Sequence, residues 1–147
     1  MKSLVPILAA LLAPGACGNP EPPDPPSPTA AIRLPAVPGR PAAGYVSLAV
    51  RGDRGALLSV TSPLAGRIEM HETMRAGTMT SMRPLERIPV RDGEILRFTP
   101  GGRHLMIFDL DRRVAAGGRV GLVLHFERGG PETIAAEVVP TGGDVGP

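Results

Sequence analysis

The chain reads as an all-β protein, a Greek-key β-sandwich built as a single domain, and three observations carry that reading. Its segments are short and rich in β-branched and aliphatic residues, with Gly and Pro recurring between them and no sustained 3.6-residue apolar period. The stretch from Val120 to Glu127 alternates with the two-residue period of a strand, turning Val120, Leu122, Leu124 and Phe126 to one side and Val123, His125 and Glu127 to the other. A length of 147 residues suits one domain with a real core and is too short for a barrel enzyme.

In chain order, residues 1–17 read as an export signal. Lys2 supplies the positive start, and Leu4 to Ala13 is an apolar run too short to span a bilayer as a helix. Leu12-Ala13-Pro14-Gly15-Ala16-Cys17 sets the single cysteine after small residues, as in a lipoprotein signal, with Pro14 where an aliphatic residue is usual. A lipid anchor at Cys17 explains an odd cysteine in an exported chain; ordinary cleavage near Ala16 is the alternative. Residues 18–31 read as a linker. Six prolines lie between Gly18 and Ala30, among Glu, Asp and Ser, a composition that favours extended polyproline II. At about 3.1 Å per residue such a spacer holds a domain up to roughly 40 Å from its anchor.

The folded domain is expected over residues 32–140. Strands are predicted over Ile32 to Leu34, Gly44 to Val50, Ala56 to Val60, Gly66 to Glu72, Thr78 to Pro84, Glu94 to Phe98, His104 to Asp109, Arg119 to Glu127 and Thr133 to Val139. Arg91-Asp92-Gly93, Pro100-Gly101-Gly102, Ala116-Gly117-Gly118 and Arg128-Gly129-Gly130-Pro131 supply the residues that tight turns need between them. The interval Glu72 to Ser81, with Gly77 and three threonines, suggests a mobile lid running into a strand. Residues 141–147 read as a frayed tail.

Composition removes several function classes. Beyond residue 17 the chain carries 15 Arg against 14 Asp and Glu, a balance with no call for a polyanionic partner. Four aromatic residues and no Trp leave little to stack bases on, so no nucleic-acid partner is expected. No Ser-His-Asp, paired-carboxylate or phosphate-loop constellation supports an enzyme. Blue-copper electron transfer needs a Cys thiolate beside two His, and the single Cys precedes the linker.

What remains is a set of soft donors. His104 and Met106 are two apart on a predicted strand and so project side by side. Upstream stand His71 and Met82. Ten residues separate His71 from Met82, twenty-one separate Met82 from His104, and one separates His104 from Met106. Thioether sulfur is soft and polarisable and imidazole is borderline, a combination that selects Cu(I) over hard cations. Taken singly, His71 would more often be a surface residue and Met82 a core filler. Met74 and Met79 lie in the same interval and remain candidates in place of Met82. His125, outward beside Glu127, reads as solvent-exposed. Arg67, Arg83 and Arg103 stay protonated and cannot ligate; binding carboxylates, on a docking partner or on Glu69 and Glu72, suits them better. Glu72 is a candidate to orient His71 through its other ring nitrogen.

The joint spacing, with Glu69-Met70-His71-Glu72, Met82-Arg83-Pro84, Gly101-Gly102-Arg103-His104-Leu105-Met106 and Leu122-Val123-Leu124-His125-Phe126-Glu127, resembles the periplasmic copper chaperones of the PCu(A)C family, from about Ala42 to Val139. That family's His, Met, His-x-Met spacing is reproduced at all four positions. The resemblance implies a cupredoxin-like fold and a metal site of His71, Met82, His104 and Met106. It also implies a carrier of Cu(I) in the periplasm or cell envelope, delivering toward the copper subunit of cytochrome oxidase, directly or through a thiol-bearing chaperone. A copper-free, lipid-tethered interaction module is the alternative.

Overall fold

Strand formation follows the alternation of apolar side chains. The computed structural model describes residues 27–145, in which ten strands occur and no helix. They are β1 (Thr29–Arg33), β2 (Ala42–Ala49), β3 (Ala56–Thr61), β4 (Ala65–Ala76), β5 (Met79–Leu85), β6 (Ile88–Pro89), β7 (Ile95–Phe98), β8 (Arg103–Leu110), β9 (Arg119–Phe126) and β10 (Glu132–Val139). The export signal, Cys17 and residues 18–26 of the linker lie outside the described residues.

In β9 the buried set is Val120, Leu122, Leu124 and Phe126, the face expected from the period-two pattern. β2 buries Ala42, Val46 and Leu48, β8 buries Leu105 and Ile107, and β10 buries Ile134, Ala136 and Val138. β3 departs from alternation, with Ala56, Leu57 and Val60 all buried. Its pairing with β9 shifts register between Leu57 and Ser59, and the extra residue, Leu58, is left partly exposed.

One hydrogen-bonded ladder runs β5-β4-β8-β2-β1-β10-β9-β3-β6, with β7 pairing to the far half of β2. β1 joins the two ends of the chain, antiparallel to β2 and parallel to β10. Residues from all parts of that ladder, among them Ile32, Leu57, Met70, Leu105, Leu122 and Ile134, share one core. The ladder therefore folds over on itself and closes its inner faces together, which gives the two layers of a sandwich. Burial on this scale is the main stabilising term, and none of the buried residues is polar or charged among those described.

Four boundaries differ from expectation. β1 begins at Thr29, because Thr29, Ala30 and Ala31 pair with Ser47, Val46 and Tyr45. Glu72 to Ser81 is an extended hairpin, with β4 and β5 paired from Met70–Leu85 out to Ala76–Met79 and Gly77 at positive φ in the turn. The interval's own backbone hydrogen bonds replace the mobile lid. β6, over Ile88–Pro89, is absent from the predicted strands because two residues are too short to show a period. Thr141 to Gly143 are tied down: Thr141 Oγ1 donates to the Leu34 carbonyl at 3.1 Å, and the Gly143 carbonyl accepts from Arg33 at 2.9 and 3.2 Å.

Candidate metal centre

The pairing of β4 with β8 decides where the donors lie. Alternate partners there are Arg67 with Phe108, Glu69 with Met106 and His71 with His104. Directly paired residues project to the same side of a sheet, so His71, His104 and Met106 share one face and Met70 and Leu105 the other. Burial agrees, since Met70 is 5% exposed and Leu105 fully buried on the core side. The rings of His71 and His104 lie with centroids 6.1 Å apart and planes tilted by 37°.

β5 adds the fourth donor. Met82 pairs with Thr73, and Thr73 shares the His71 face by the same two-residue rule. Met82 stands diagonally across from His71 and is exposed, as an edge strand allows. Met74 pairs with Ser81 and Met79 with Ala76, both one step out of phase. Their side chains leave the opposite side of the hairpin. All four spacing-matched residues thus gather on one face of three adjacent strands, and the two reserve methionines do not.

Hydrogen bonds confirm which face each charged residue occupies. Glu72 lies on the reverse face, where its carboxylate accepts from Arg83 at 2.7 and 3.1 Å and lies 3.8 Å from Arg103. Glu72 therefore does not orient His71. Glu69 does: its Oε2 lies 3.0 Å from His71 Nε2, while its Oε1 pairs with Arg67 at 2.8 Å. Arg67 in turn sits over the Phe108 ring, 4.2 Å from its centroid. The hydrogen bond from His71 is the main influence that holds the Glu69 carboxyl below its ordinary range; desolvation opposes it, and the charge of Arg67 adds to the lowering. The alternation carried a signal for this, since Glu69 is two residues from His71 and Glu72 only one. The arginines do bind the two carboxylates, as expected.

The turn before β8 fixes the second histidine. Gly101 has φ of 76°, a left-handed value that favours glycine. The Gly102 carbonyl accepts the Thr73 N–H at 3.1 Å and the His104 Nδ1–H at 3.1 Å. A carbonyl oxygen only accepts, so His104 keeps its proton on Nδ1 and leaves Nε2 with the lone pair. His71 is different. Its Nδ1 is buried and has no hydrogen-bond partner, the one such side-chain atom among the described residues. An orphaned buried nitrogen is costly and calls for an explanation. A lone pair reserved for a metal supplies one.

No three His, Cys, Asp or Glu side chains gather among the described residues, so a site here draws on methionine. Two imidazoles and two thioethers suit a soft monovalent ion and lack the oxygens that hard cations require. His125 lies elsewhere, on the outward face of β9 as expected, half-buried and 2.8 Å from Thr61 Oγ1.

Known proteins agree with this architecture. The family model described as "Putative lipoprotein LpqE-like" matches residues 28–138. A curated relative, "Putative lipoprotein Lxx21020" of Leifsonia xyli subsp. xyli (strain CTCB07), is 32% identical over 85 residues, 56% of this chain and 50% of its own length. The chain thus spans about half the length of that relative. Among solved structures, the copper-bound PCuAC domain from PmoF2 superposes with a TM-score of 0.61 at 23% identity, covering 77% of this chain and 91% of that one. The apo PmoF2 PCuAC domain gives 0.63 at 21% identity, over 79% and 90%. The solution structure of Cu(I)-DR1885 from Deinococcus radiodurans gives 0.56 at 27% identity, over 76% of each chain. The all-β, cupredoxin-like fold expected from the resemblance is the fold of PCuAC domains.

Proposed function

The chain belongs to the LpqE-like lipoprotein family, and from that premise we propose that it is an exported copper chaperone. It carries one Cu(I) on His71, Met82, His104 and Met106 and hands it to a copper protein of the cell envelope. The observation that supports this most is the common face of the four donors, set by the registers His71–His104, Glu69–Met106 and Thr73–Met82. The solved domains of like fold include one described as copper-bound and one as Cu(I)-bound. Met82 lies on an exposed edge strand, which suits exchange of the ion with a partner that approaches from that side. Thioether donors resist the oxidation that turns thiol pairs into disulfides outside the cytoplasm.

The mechanism is capture and hand-over, with no chemical step on the ion. The two imidazoles, held from behind, and Met106 beside His104 form the fixed part of the site. Met82, exposed on the hairpin, is the donor that a recipient displaces. The recipient we favour is the copper subunit of cytochrome oxidase or a thiol-bearing chaperone that serves it. A signal over residues 1–17, a lipid on Cys17 and the proline-rich linker that precedes β1 would hold the β-sandwich domain near that recipient in the periplasm or cell envelope. Cys17→Ser is expected to release the protein from membranes.

The test is a Cu(I) titration of the chain from Gly18 onward against a chromogenic chelator, with one equivalent expected. A stoichiometry near zero would leave a copper-free interaction module as the reading.

A further inference from the structure

The two histidines are held from behind through different ring nitrogens. His104 gives its Nδ1–H to the Gly102 carbonyl at 3.1 Å, and that carbonyl is itself pinned by the Thr73 N–H. His71 meets the Glu69 carboxylate with Nε2 at 3.0 Å, leaving Nδ1 buried and unpaired. In a neutral imidazole only one nitrogen carries the proton, and a carboxylate can only accept. The proton of His71 therefore sits on Nε2, and the lone pair sits on the nitrogen that has no protein partner.

We infer that Glu69 is a positioning residue for the site: it holds His71 in the Nε2–H form, so that His71 offers Nδ1 to the cargo while His104 offers Nε2. This rests on the carrier reading above. Glu69 is itself held, with Oε1 on Arg67 at 2.8 Å and Arg67 stacked on Phe108. The carboxylate thus has one oxygen for the arginine and one for the imidazole, and the ring cannot turn over without breaking a charge-assisted hydrogen bond.

Glu69 differs from an ordinary surface carboxylate in what its removal does. Glu69→Ala frees His71 Nε2–H and lets the ring exchange tautomers and rotate, whereas Glu69→Gln keeps a carbonyl acceptor at the same place. Losing a group that orients a metal-binding imidazole typically weakens affinity about 10–100-fold. The Glu69→Ala effect should fall in that range with the stoichiometry still one, and Glu69→Gln should lose much less.

The decisive experiment reads the tautomers without copper. Long-range 1H–15N correlation spectra of the metal-free protein at about pH 8, where imidazole is neutral, assigned with His71→Ala and His104→Ala, should show His71 protonated on Nε2 and His104 on Nδ1. Glu69→Ala should mix the His71 tautomers and leave His104 unchanged, and Glu69→Gln should restore the parent pattern. Adding Cu(I) should then move His71 Nδ1 and His104 Nε2. A His71 protonated on Nδ1 in the parent, or a His71 tautomer indifferent to Glu69→Ala, would overturn the inference; should that variant not fold, the parent spectrum decides. Parent tautomers as stated in a protein that takes up no Cu(I) would instead overturn the carrier reading alone.

Discussion

His71 and His104 are cross-strand partners, one from β4 and one from β8, with ring centroids 6.1 Å apart. Thirty-three positions along the chain separate them, yet a single register brings them to the same face beside Met106. These three side chains are therefore held by the β4–β8 pairing, and substitutions divide according to the face they touch.

The donors carry little of the fold, since His104 and Met106 are only half-buried on the outer face. His104→Ala and Met106→Ala should each weaken Cu(I) binding about tenfold or more while leaving the metal-free thermal midpoint nearly unchanged. Leu105→Ala, between them and fully buried, should lower the stability by about 2–5 kcal/mol. Thermal unfolding of the three metal-free variants checks this, and early melting of the first two would make them core residues.

Sulfur identity separates the two sides of the hairpin. Met82→Leu keeps the volume and removes the donor, so affinity should fall, whereas Met74→Leu and Met79→Leu act on the reverse side and should leave it within about twofold. Chelator competition on the three variants decides; a loss at Met74 or Met79 equal to that at Met82 would mean the wrong sulfur had been assigned.

Beneath the site, Gly44 in β2 is crowded by the strand that carries the second histidine. A methyl there would come within 3.0 Å of the Leu105 Cβ and 3.1 Å of the Ile107 Cδ1. Gly44→Ala should destabilise the domain by about 1–3 kcal/mol through overpacking. Denaturant unfolding measures it, and an unchanged midpoint would show that β8 yields without cost.

Away from the site, Asp111 anchors the turn after β8. Side-chain hydrogen bonds from Arg113 at 3.0 and 2.7 Å, together with its backbone N–H at 2.9 Å, lower the Asp111 carboxyl from 3.8 to about 2. The folded-state value is depressed, so the stabilisation is present above the ordinary carboxylate range and is lost as pH falls through that range toward 2. Asp111 is only half-buried and its partner Arg113 is exposed, so solvent screens the pair and the effect is small. The thermal midpoints of parent and Asp111→Asn should differ most above pH 5 and converge near pH 2, and a carboxyl titration followed by NMR should place Asp111 well below the ordinary aspartate range.

Local chemistry was legible in the chain because its period is local. Alternation in β9 assigned the core face residue by residue, Gly and Pro marked the turns, and donor type pointed to a soft ion through the side chains alone. The same two-residue rule separates Glu69 from Glu72 about His71, since a residue one position from the histidine faces the other side. Other features have no signal of their own. The bulge at Leu58, the two residues of β6 and the hydrogen bonds that hold Thr141 and Gly143 each depend on a partner far along the chain.

By itself, then, the sequence determined that the chain is all-β, which side chains of β9 point inward, and which residues could bind a soft metal. Only the tertiary structure decided that Met82, and not Met74 or Met79, shares a face with the histidines, and that Glu69 and the Gly102 carbonyl hold them from behind. The reason is physical: the face of a side chain follows from its neighbours one and two residues away, but the register between strands follows from how distant segments pack over a common core, and a slip of one residue would turn every donor on that strand to the other side.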